Sequence, residues 1–481
     1  MACLIAAPSS GSGKTLVSLS LIAWARQHQQ SIQPFKVGPD YLDPQLLGTA
    51  AGRPCRNLDL TLCGPEWVRD SFHGHGNKAQ LCLVEGVMGL FDGIGPTSQG
   101  SSAEVAKLLK LPVVLVVDAG GQAQSLAALV RGFQLHDPAL HLAGVVLNRV
   151  STPRHRQLMQ EVLDGIDVPL LGCLPRSDQL DLPSRHLGLA PAQELSEFPE
   201  RLRAWASLAE QHFDLKRLLP LMESPEAGED PLEQRLATSP GMEGLERIPV
   251  AVAQDEAFHF RYPEMQDWLH SLAMPVLPWR PLANEPIPNE ACGLILPGGF
   301  PELHAGALSD CDQSLISLQQ WFGRRPIYAE CGGMLLLGQS LADDSGQSHP
   351  MAGLLPFHAR KGRLQVGYRV LMTVAQDGLL TRRNEQFRGH EFHRWELTQE
   401  SPDSSSTDGS VGNLQTLWQV EGWQVDQRRE GWTHPNLHAS WVHLHWGGCW
   451  TISCRWRAAV ETAAATIAAG SSSARNRARS R

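Results

Sequence analysis

Two short segments, one in each half of the chain, carry residue types that could do chemistry. Residues 8–15 read P-S-S-G-S-G-K-T, and residues 327–334 read I-Y-A-E-C-G-G-M. The first segment combines glycines with a lysine and a threonine, as in loops that bind nucleotide phosphates. The second places a cysteine before two glycines, where a tight turn could expose the thiol to attack a carbonyl carbon. The sequence therefore indicates two coupled reactions.

The first segment follows an apolar strand and precedes a helical run, 16–26, which is the order that a phosphate loop requires. We therefore expect ATP to bind at Gly11, Ser12, Gly13, Lys14 and Thr15. The glycines let the backbone close around phosphates, the lysine supplies a positive charge, and the threonine hydroxyl can hold Mg²⁺. A proline stands where the full motif begins with glycine. An incidental glycine-rich turn is the alternative, and the flanking strand and helix disfavour it.

Carboxylates follow other predicted strands of the same half. Asp40 and Asp43 lie in F-K-V-G-P-D-Y-L-D-P, and Glu85 and Asp92 lie in L-V-E-G-V-M-G-L-F-D-G. Mg²⁺ in nucleotide sites usually keeps several waters and takes one or two carboxylates. We expect Asp40 and Glu85 to join Thr15 as the metal ligands. For each acid taken alone, a solvated turn or a helix cap is an equal alternative, although a weaker one for Glu85, which lies between an apolar strand and glycines.

The second segment predicts a nucleophile, Cys331, on a tight turn between a strand and a helix over 334–340. A helix N-terminus and a nearby imidazolium would favour its thiolate. The glycine pair of L-I-L-P-G-G-F-P-E, residues 294–302, could offer N–H groups to an oxyanion. The general base is sought among His438, His443 and His445 of L-H-A-S-W-V-H-L-H-W. The alternatives are a buried structural cysteine and a metal site formed by alternating histidines on one strand face.

The composition is that of a globular protein with more than one domain. The chain has 481 residues, and its net charge of −9 argues against a nucleic-acid backbone as the main partner. Ten scattered cysteines with no C-x-x-C pair fit a reduced cytoplasmic protein without disulfides. No apolar window is long enough to predict a membrane span. We expect small-molecule partners, no nucleic acid and no membrane, and a homodimer is compatible with the sequence.

Apolar runs alternating with helical stretches predict two doubly wound α/β domains. The clearest strands are residues 3–7, 81–85, 113–118, 144–148, 248–253, 293–297 and 326–329. Helix is expected over 192–219, a linker over 223–243, and a mobile insertion over 401–412. The predicted domains are 1–190 for nucleotide chemistry, 191–245 for a helix and linker, 246–447 for the thiol, and 448–481 for a tail that is disordered from 470.

In the first half, five segments in order resemble the synthetase domain of the cobyrinic acid a,c-diamide synthase family, which is similar in fold to dethiobiotin synthetase. They are P-S-S-G-S-G-K-T, F-K-V-G-P-D-Y-L-D-P, G-R-P-C-R-N-L-D, V-E-G-V-M-G-L-F-D-G and R-H-L-G-L. The resemblance implies that ATP phosphorylates a substrate carboxylate and that ammonia attacks the acyl phosphate. It implies that Asp43 and Asp92 serve the corrin substrate. Leu47 stands where this family usually has a histidine.

In the second half, L-P-G-G-F-P-E, E-C-G-G-M and S-W-V-H-L-H-W resemble a class I glutamine amidotransferase domain of the cobyric and cobyrinic acid type. The resemblance makes Cys331 the nucleophile and His443 its general base and acid. Typical members have a glutamate two residues after that histidine, and here the position holds His445, so the third catalytic member is open. The implied activity is a Mg²⁺- and ATP-dependent ligase of cobalamin biosynthesis with L-glutamine as nitrogen donor.

Three alternatives remain at this point. Hydrogenobyrinate and nickel-sirohydrochlorin are alternative tetrapyrrole substrates for the same reaction. A non-catalytic P-loop ATPase switch is the alternative from another class of protein. The cysteine and histidine segments disfavour that switch, because it has no use for an activated thiol.

Overall fold

A computed structural model describes residues 2–176, 184–185, 188–189, 197–238, 244–376, 378–398 and 414–479, with the backbone alone for 184–185, 188–189 and 470–479. The chain forms two compact units, Met1–Thr238 and Ser239–Arg481. The expected insertion at 401–412 lies outside the described residues, as do residues 186 and 187 of R-H-L-G-L. In the described part of the chain, no helix is both long and apolar enough to cross a membrane.

The first unit contains a seven-stranded sheet in the order β3-β2-β4-β1-β5-β6-β7, and every neighbouring pair is parallel. A separate antiparallel pair is formed by β8 and β9. The strands are β1 (Cys3–Ala6), β2 (Ile32–Val37), β3 (Arg56–Leu58), β4 (Leu81–Glu85), β5 (Val113–Asp118), β6 (Leu142–Val150), β7 (Leu170–Pro175), β8 (Ser184–Arg185) and β9 (Gly188–Leu189).

Helices connect the strands of the first unit. They are α1 (Lys14–Gln27), α2 (Leu42–Ala51), α3 (Leu60–Gly76), α4 (Ser102–Leu109), α5 (Ser125–His136), α6 (Pro153–Asp164), α7 (Phe198–His212), α8 (Leu215–Leu218) and α9 (Pro231–Ala237). The expected helix over 192–219 is thus two helices where it is described. The expected linker over 223–243 contains α9, which begins with Asp230 as its N-cap and a proline in its first turn.

The first sheet is buried on both faces, which is why its strands read as continuous apolar runs. Alternate residues of β1 point to opposite sides. Ile5 packs into the cluster that includes Ile22 of α1 and Trp205 of α7. Leu4 packs into the cluster that includes Phe72 of α3 and Val105 of α4. This packing fixes the carboxyl end of β1, from which the phosphate loop emerges.

The second unit contains an eleven-stranded mixed sheet. Strands β11, β10, β12, β13 and β20 are neighbours in that order and parallel, and β19, β18 and β16 continue the sheet antiparallel. The strands are β10 (Val250–Ala253), β11 (Val276–Trp279), β12 (Leu294–Leu296), β13 (Ile327–Glu330), β14 (Ser340–Ala342), β15 (Ser348–Pro350), β16 (His358–Thr373), β17 (Gln386–Thr398), β18 (Gln415–Gly422), β19 (Val425–His434) and β20 (Leu437–Ser440). The α/β prediction for both units is confirmed, and the antiparallel half was not foreseen.

The helices of the second unit are α10 (Pro263–Ser271), α11 (Ala305–Ser309), α12 (Asp312–Trp321), α13 (Gly332–Leu335) and α14 (Trp450–Arg479). The helix predicted over 334–340 was wrong in its extent. Helix α13 is a single turn that already begins at Gly332, and residues from Ser340 onward form β14. The tail predicted over 448–481 is helical along most of its length, because α14 continues to Arg479.

The first half of α14 belongs to the core of the second unit. Trp456 is fully buried, and its ring lies 6.2 Å from that of Tyr328 on β13. Gly293 leaves space for the indole, since a Cβ there would lie 2.8 Å from Trp456 Cζ2. Helix α14 therefore packs over the sheet that ends in the thiol turn.

We expect Trp456→Ala to destabilise the second unit by about 3–5 kcal/mol, because it removes a large buried side chain and leaves a cavity. The exposed Thr466→Ala on the same helix should cost less than about 0.5 kcal/mol. Hydrogen exchange of β10 amides in increasing urea would report the second unit alone. Equal stability of the two variants would contradict the packing role of α14.

Candidate active sites

The phosphate loop has the backbone that its sequence predicts. Gly11 and Gly13 have φ angles of 79° and 107°, which other residues rarely adopt. Gly13 is the N-cap of α1 and has no side chain to cap it, so the first-turn N–H groups face the loop. Asn148 on β6 donates to the carbonyl of Ser12 at 3.0 Å and occupies the space that a Cβ on Gly13 would need. The helix end is a preformed site for an anion.

Lys14 lies buried against the loop that follows β4. Its Nζ donates to the carbonyl of Met88 at 2.6 Å. Burial, followed by the charge of Lys36, lowers the pKa of Lys14 to about 8. In the same loop, the exposed Asp92 accepts from the N–H of Gly89 at 2.8 Å through Oδ2. The contact of Asp92 thus shapes the loop around Lys14, and its predicted role in substrate binding stays a prediction.

A buried lysine that sequence reasoning missed lies at the centre of the carboxylates. Lys36 on β2 is 3% exposed, and its Nζ lies 2.5 Å from Asp43 Oδ2, 2.7 Å from Glu85 Oε1 and 3.7 Å from Asp40 Oδ2. Burial opposes its charge, but the carboxylates raise its pKa well above the usual value. The signal in the sequence was a charged residue inside an otherwise apolar, buried strand.

The two aspartates of this cluster have different environments. Burial and the neighbouring Asp43 raise the pKa of Asp40. Burial also opposes ionisation of Asp43, but Lys36 prevails and lowers the pKa of Asp43. Asp40 Oδ1 accepts from the N–H of Leu42, in the first turn of α2, at 2.9 Å. Asp43 is therefore the ionised partner of Lys36, and Asp40 is the carboxylate that most readily takes up a proton.

Thr15 and Glu85 have the donor set that suits Mg²⁺. Thr15 Oγ1 donates to Glu85 Oε1 at 3.0 Å, and the fully buried Glu85 Oε2 accepts no hydrogen bond from the described residues. In the described part of the chain, no three His, Cys, Asp or Glu side chains gather as a metal site. That is compatible with Mg²⁺, which needs few protein ligands when phosphates are bound. Asp40 is the third predicted ligand, and its Oδ2 lies 3.7 Å from Lys36 Nζ.

Cys331 lies on the turn between β13 and α13. Its φ of 46° is rare for a residue other than glycine and marks a strained turn. Its N–H donates to the carbonyl of Ser440 at 2.7 Å, which continues the pairing of β13 with β20. Burial, followed by the carboxylate of Glu302, raises the pKa of the Cys331 thiol well above its usual range. Burial, aided by nearby glutamates, therefore opposes the thiolate that the sequence led us to expect, and a base must accept the thiol proton.

The glycine pair after β12 lies against both the thiol turn and the histidine. A Cβ on Gly332 would lie 2.9 Å from the backbone nitrogen of Gly299. A Cβ on Gly298 would lie 2.5 Å from His443 Cε1 and 3.2 Å from its Nε2. Strands β12, β13 and β20 are parallel neighbours, so their carboxyl ends bring the glycines, the cysteine turn and the histidine to one edge.

His443 is held by a glutamate that sequence reasoning missed. Its Nδ1 lies 3.3 Å from Glu330 Oε2, and both side chains are buried. Its backbone pairs with His390 in both directions, at 2.9 and 3.0 Å. The signal in the sequence was again a charged residue inside an apolar strand, directly before the nucleophile.

The other two histidines lie elsewhere. His445 Nε2 lies 3.4 Å from Glu264 Oε2, and its ring packs on Tyr262 with centroids 4.4 Å apart. His438 lies on β20 and stacks on Tyr328 at 5.0 Å. His443 and His445 follow the end of β20, so the alternating-histidine strand proposed as a metal site is not formed.

The matches to known families agree with these two sites. Residues 3–189 match the CobQ/CobB/MinD/ParA nucleotide binding domain, and residues 249–449 match the CobB/CobQ-like glutamine amidotransferase domain. A cobyrinate a,c-diamide synthase from Gloeobacter violaceus is 41% identical over 93% of this chain and 94% of its own length. One from Synechococcus is 39% identical over 93% of this chain and 96% of its own. The chain belongs to the cobyrinate a,c-diamide synthase family.

The resemblance inferred from the motifs is thereby confirmed, and the chain combines a nucleotide-binding domain with a glutamine amidotransferase domain. The same comparison includes a hydrogenobyrinate a,c-diamide synthase from Mycobacterium tuberculosis, 38% identical over 92% of this chain and 94% of its own length. The cobyrinate a,c-diamide synthase family thus has near relatives named for a second corrin substrate. The individual site residues stay predictions.

Proposed function

We propose that the chain converts the a and c carboxylates of cobyrinic acid to carboxamides, with ATP as the activating substrate and glutamine as the nitrogen donor, in cobalamin biosynthesis. The observation that carries this proposal is the presence of two sites in one family member. One is a phosphate loop with a lysine and carboxylate cluster, and the other is a thiol turn beside a histidine and a glycine pair. A reaction at the phosphate loop alone would leave the thiol turn without a role, and a reaction at the thiol turn alone would leave the phosphate loop without one.

In the glutaminase half, His443 accepts the proton of the Cys331 thiol, and the sulfur attacks the amide carbon of glutamine. The N–H groups of Gly298 and Gly299 are proposed to stabilise the developing oxyanion. His443 returns the proton to the leaving ammonia, and water then hydrolyses the thioester to glutamate. The raised pKa of the thiol supports this sequence, because the sulfur needs a base at neutral pH.

In the synthetase half, a corrin carboxylate oxygen attacks the γ-phosphorus of ATP, ADP leaves, and an acyl phosphate forms. Ammonia then displaces phosphate and leaves the amide. The loop N–H groups and Lys14 bind the phosphates. The positive charge of Lys36 offsets the negative charges of Asp43 and Glu85. Mg²⁺ held by Thr15 and Glu85, with Asp40 nearby, would neutralise the charge that develops on the transferring phosphoryl group. Asp43 and Asp92 are proposed to orient the corrin carboxylate.

Hydrogenobyrinate is the second candidate substrate, because relatives of both names are nearly equally similar. Nickel-sirohydrochlorin is a third, and no observation favours it. We place the reaction in the cytoplasm, since a catalytic thiol must stay reduced, and all ten cysteines of the chain are free. A non-catalytic ATPase switch would not need the buried arrangement around Cys331.

Mass spectrometry tests the proposal. The protein is incubated with ATP, Mg²⁺, glutamine and, in separate reactions, cobyrinic acid, hydrogenobyrinic acid or nickel-sirohydrochlorin. We expect two successive replacements of OH by NH₂ on cobyrinic acid. The preferred substrate is the one with the highest kcat/KM. Glutamine-dependent ATP hydrolysis without amide formation on any of the three would overturn the proposal.

A further inference from the structure

Glu330, the residue directly before the nucleophile, is a buried carboxylate in an apolar strand. It ends β13 after Ile327, Tyr328 and Ala329, and it is 2% exposed. A buried carboxylate is costly unless donors satisfy its oxygens. Its presence beside Cys331 therefore calls for a reason beyond packing.

Three donors converge on this carboxylate. The hydroxyl of Tyr328 and the N–H of Leu444, at 2.9 Å, donate to Oε1, and the Nδ1 of His443 lies 3.3 Å from Oε2. Leu444 directly follows the histidine. Glu330 thus holds both the ring and the backbone of the segment that carries the proposed base.

This contact determines which nitrogen of His443 can act. An ionised carboxylate only accepts hydrogen bonds, so the Nδ1 that faces Glu330 must carry a proton. In a neutral imidazole, Nε2 then keeps the lone pair, as a general base requires. Nε2 is also the nitrogen near the glycine pair, since a Cβ on Gly298 would lie 3.2 Å from it.

His445, the residue at the position where a glutamate is usual, is engaged differently. Its Nδ1 accepts from the N–H of Gly447 at 3.1 Å, so its proton is on Nε2, which faces Glu264 at 3.4 Å. That contact brings the histidine segment next to α10. The side chain two residues after the base therefore faces the carboxylate of Glu264.

We propose that Glu330 is the positioning residue of the glutaminase site and supplies the third member of the triad from the strand that ends in the nucleophile. It fixes the tautomer and the orientation of His443 and stabilises the imidazolium while the histidine holds the thiol proton. This inference rests on the glutaminase role of Cys331 and His443 proposed above.

The test is Glu330→Gln in the full chain, since the amide can donate to Nδ1 and allows the wrong tautomer. We expect kcat for glutamine hydrolysis to fall on the order of 10²-fold or more, as when a triad carboxylate becomes an amide. The KM for glutamine should change less than about twofold, because the side chain does not touch the substrate. Amide synthesis with ammonium salt should keep the rate of the unaltered protein.

A double-mutant cycle separates positioning from a structural role. If Glu330 acts through His443, Glu330→Gln should add no further loss in a His443→Ala background. Glu430→Gln is the matched control, because Glu430 is also buried and accepts from the N–H of Trp441 at 2.7 Å. The Glu430→Gln variant should hydrolyse glutamine with the kcat of the unaltered protein. If Glu330→Gln does not fold, Tyr328→Phe carries the test, since it removes one donor to the same carboxylate and should lower kcat several-fold.

Three results would overturn the inference. They are a Glu330→Gln variant with at least half of the original kcat, losses that multiply in the double mutant, and a glutamine-specific loss in His445→Gln while Glu330→Gln keeps its activity. Failure of the proposed function has a different signature. In that case the unaltered chain would itself form no amide from glutamine, or Cys331→Ala would still do so.

Discussion

Cys331→Ala is expected to abolish glutamine-dependent amide synthesis and to leave ammonia-dependent synthesis intact. The variant removes the sulfur that forms the γ-glutamyl thioester, and no neighbouring side chain can replace a covalent nucleophile. Losing a nucleophile of this kind costs on the order of 10⁶-fold in kcat in a well-studied protease. The phosphate loop lies in the other unit and needs only ammonia and ATP. The measurement is the rate of amide formation with glutamine and with ammonium salt at mildly alkaline pH.

His443→Ala should also lose glutamine-dependent synthesis and keep ammonia-dependent synthesis, because the histidine acts on the same thiol. Cys292→Ala is the matched control: this buried cysteine of the same unit donates to the carbonyl of Glu290 and has no proposed role in the reaction. It should keep both activities. Full glutamine-dependent synthesis by Cys331→Ala would show that the amidotransferase mechanism is wrong.

Lys14→Ala is expected to abolish synthesis with either nitrogen source, with a loss of at least about 10³-fold, because no other residue of the phosphate loop supplies a charge to the transferring phosphoryl group. Glutamine hydrolysis at Cys331 should continue. The pKa of Lys14 is about 8 without nucleotide, so its charged form prevails below that pH. ATP affinity in the unaltered protein should therefore weaken as the pH rises through 8, and this dependence should be absent in the variant.

The control for this variant is Lys216→Ala, which removes an exposed lysine of α8 and should leave both activities unchanged. ATP binding is measured by calorimetry from pH 6.5 to 9, and amide formation by mass spectrometry with ammonium salt. Near-normal synthesis by Lys14→Ala would remove the argument for the phosphate loop as the activating site.

The first unit was largely predictable because its strands are buried on both faces and its motifs follow strand ends. The runs expected at 81–85 and 113–118 match β4 and β5 to the residue. The second unit was less predictable, since β16 and β17 contain many polar and charged residues and lack the apolar runs of the first sheet. Helix α14 was missed because its sequence is rich in alanine and has only a weak apolar pattern. The burial of Trp456, which fixes the helix to the sheet, is visible only in the structure.

At the two sites, the sequence indicated the reactive groups and the carboxylates that follow strands in the first half, but not the charged residues inside the strands. Lys14, Cys331 and His443 stand in recognisable motifs, whereas Lys36 and Glu330 stand in strands where a charge looks out of place. Their partners, such as Asp43 for the lysine, come from other elements, and only the fold brings them together. The direction of the thiol pKa could not be predicted either, because it depends on burial and on carboxylates distant in sequence.

The pairing of β13 with β20 has a consequence for the order of synthesis on the ribosome. Ile327 pairs with Leu437, so the thiol turn gains its neighbouring strand, and Glu330 its histidine, only after almost all of the family-matched region has been translated. The strands of the first sheet are complete at Pro175, and a domain generally folds as a unit once its residues have emerged. Glutamine hydrolysis is therefore expected to arise last, so a nascent chain would release no ammonia before the synthetase that consumes it has folded.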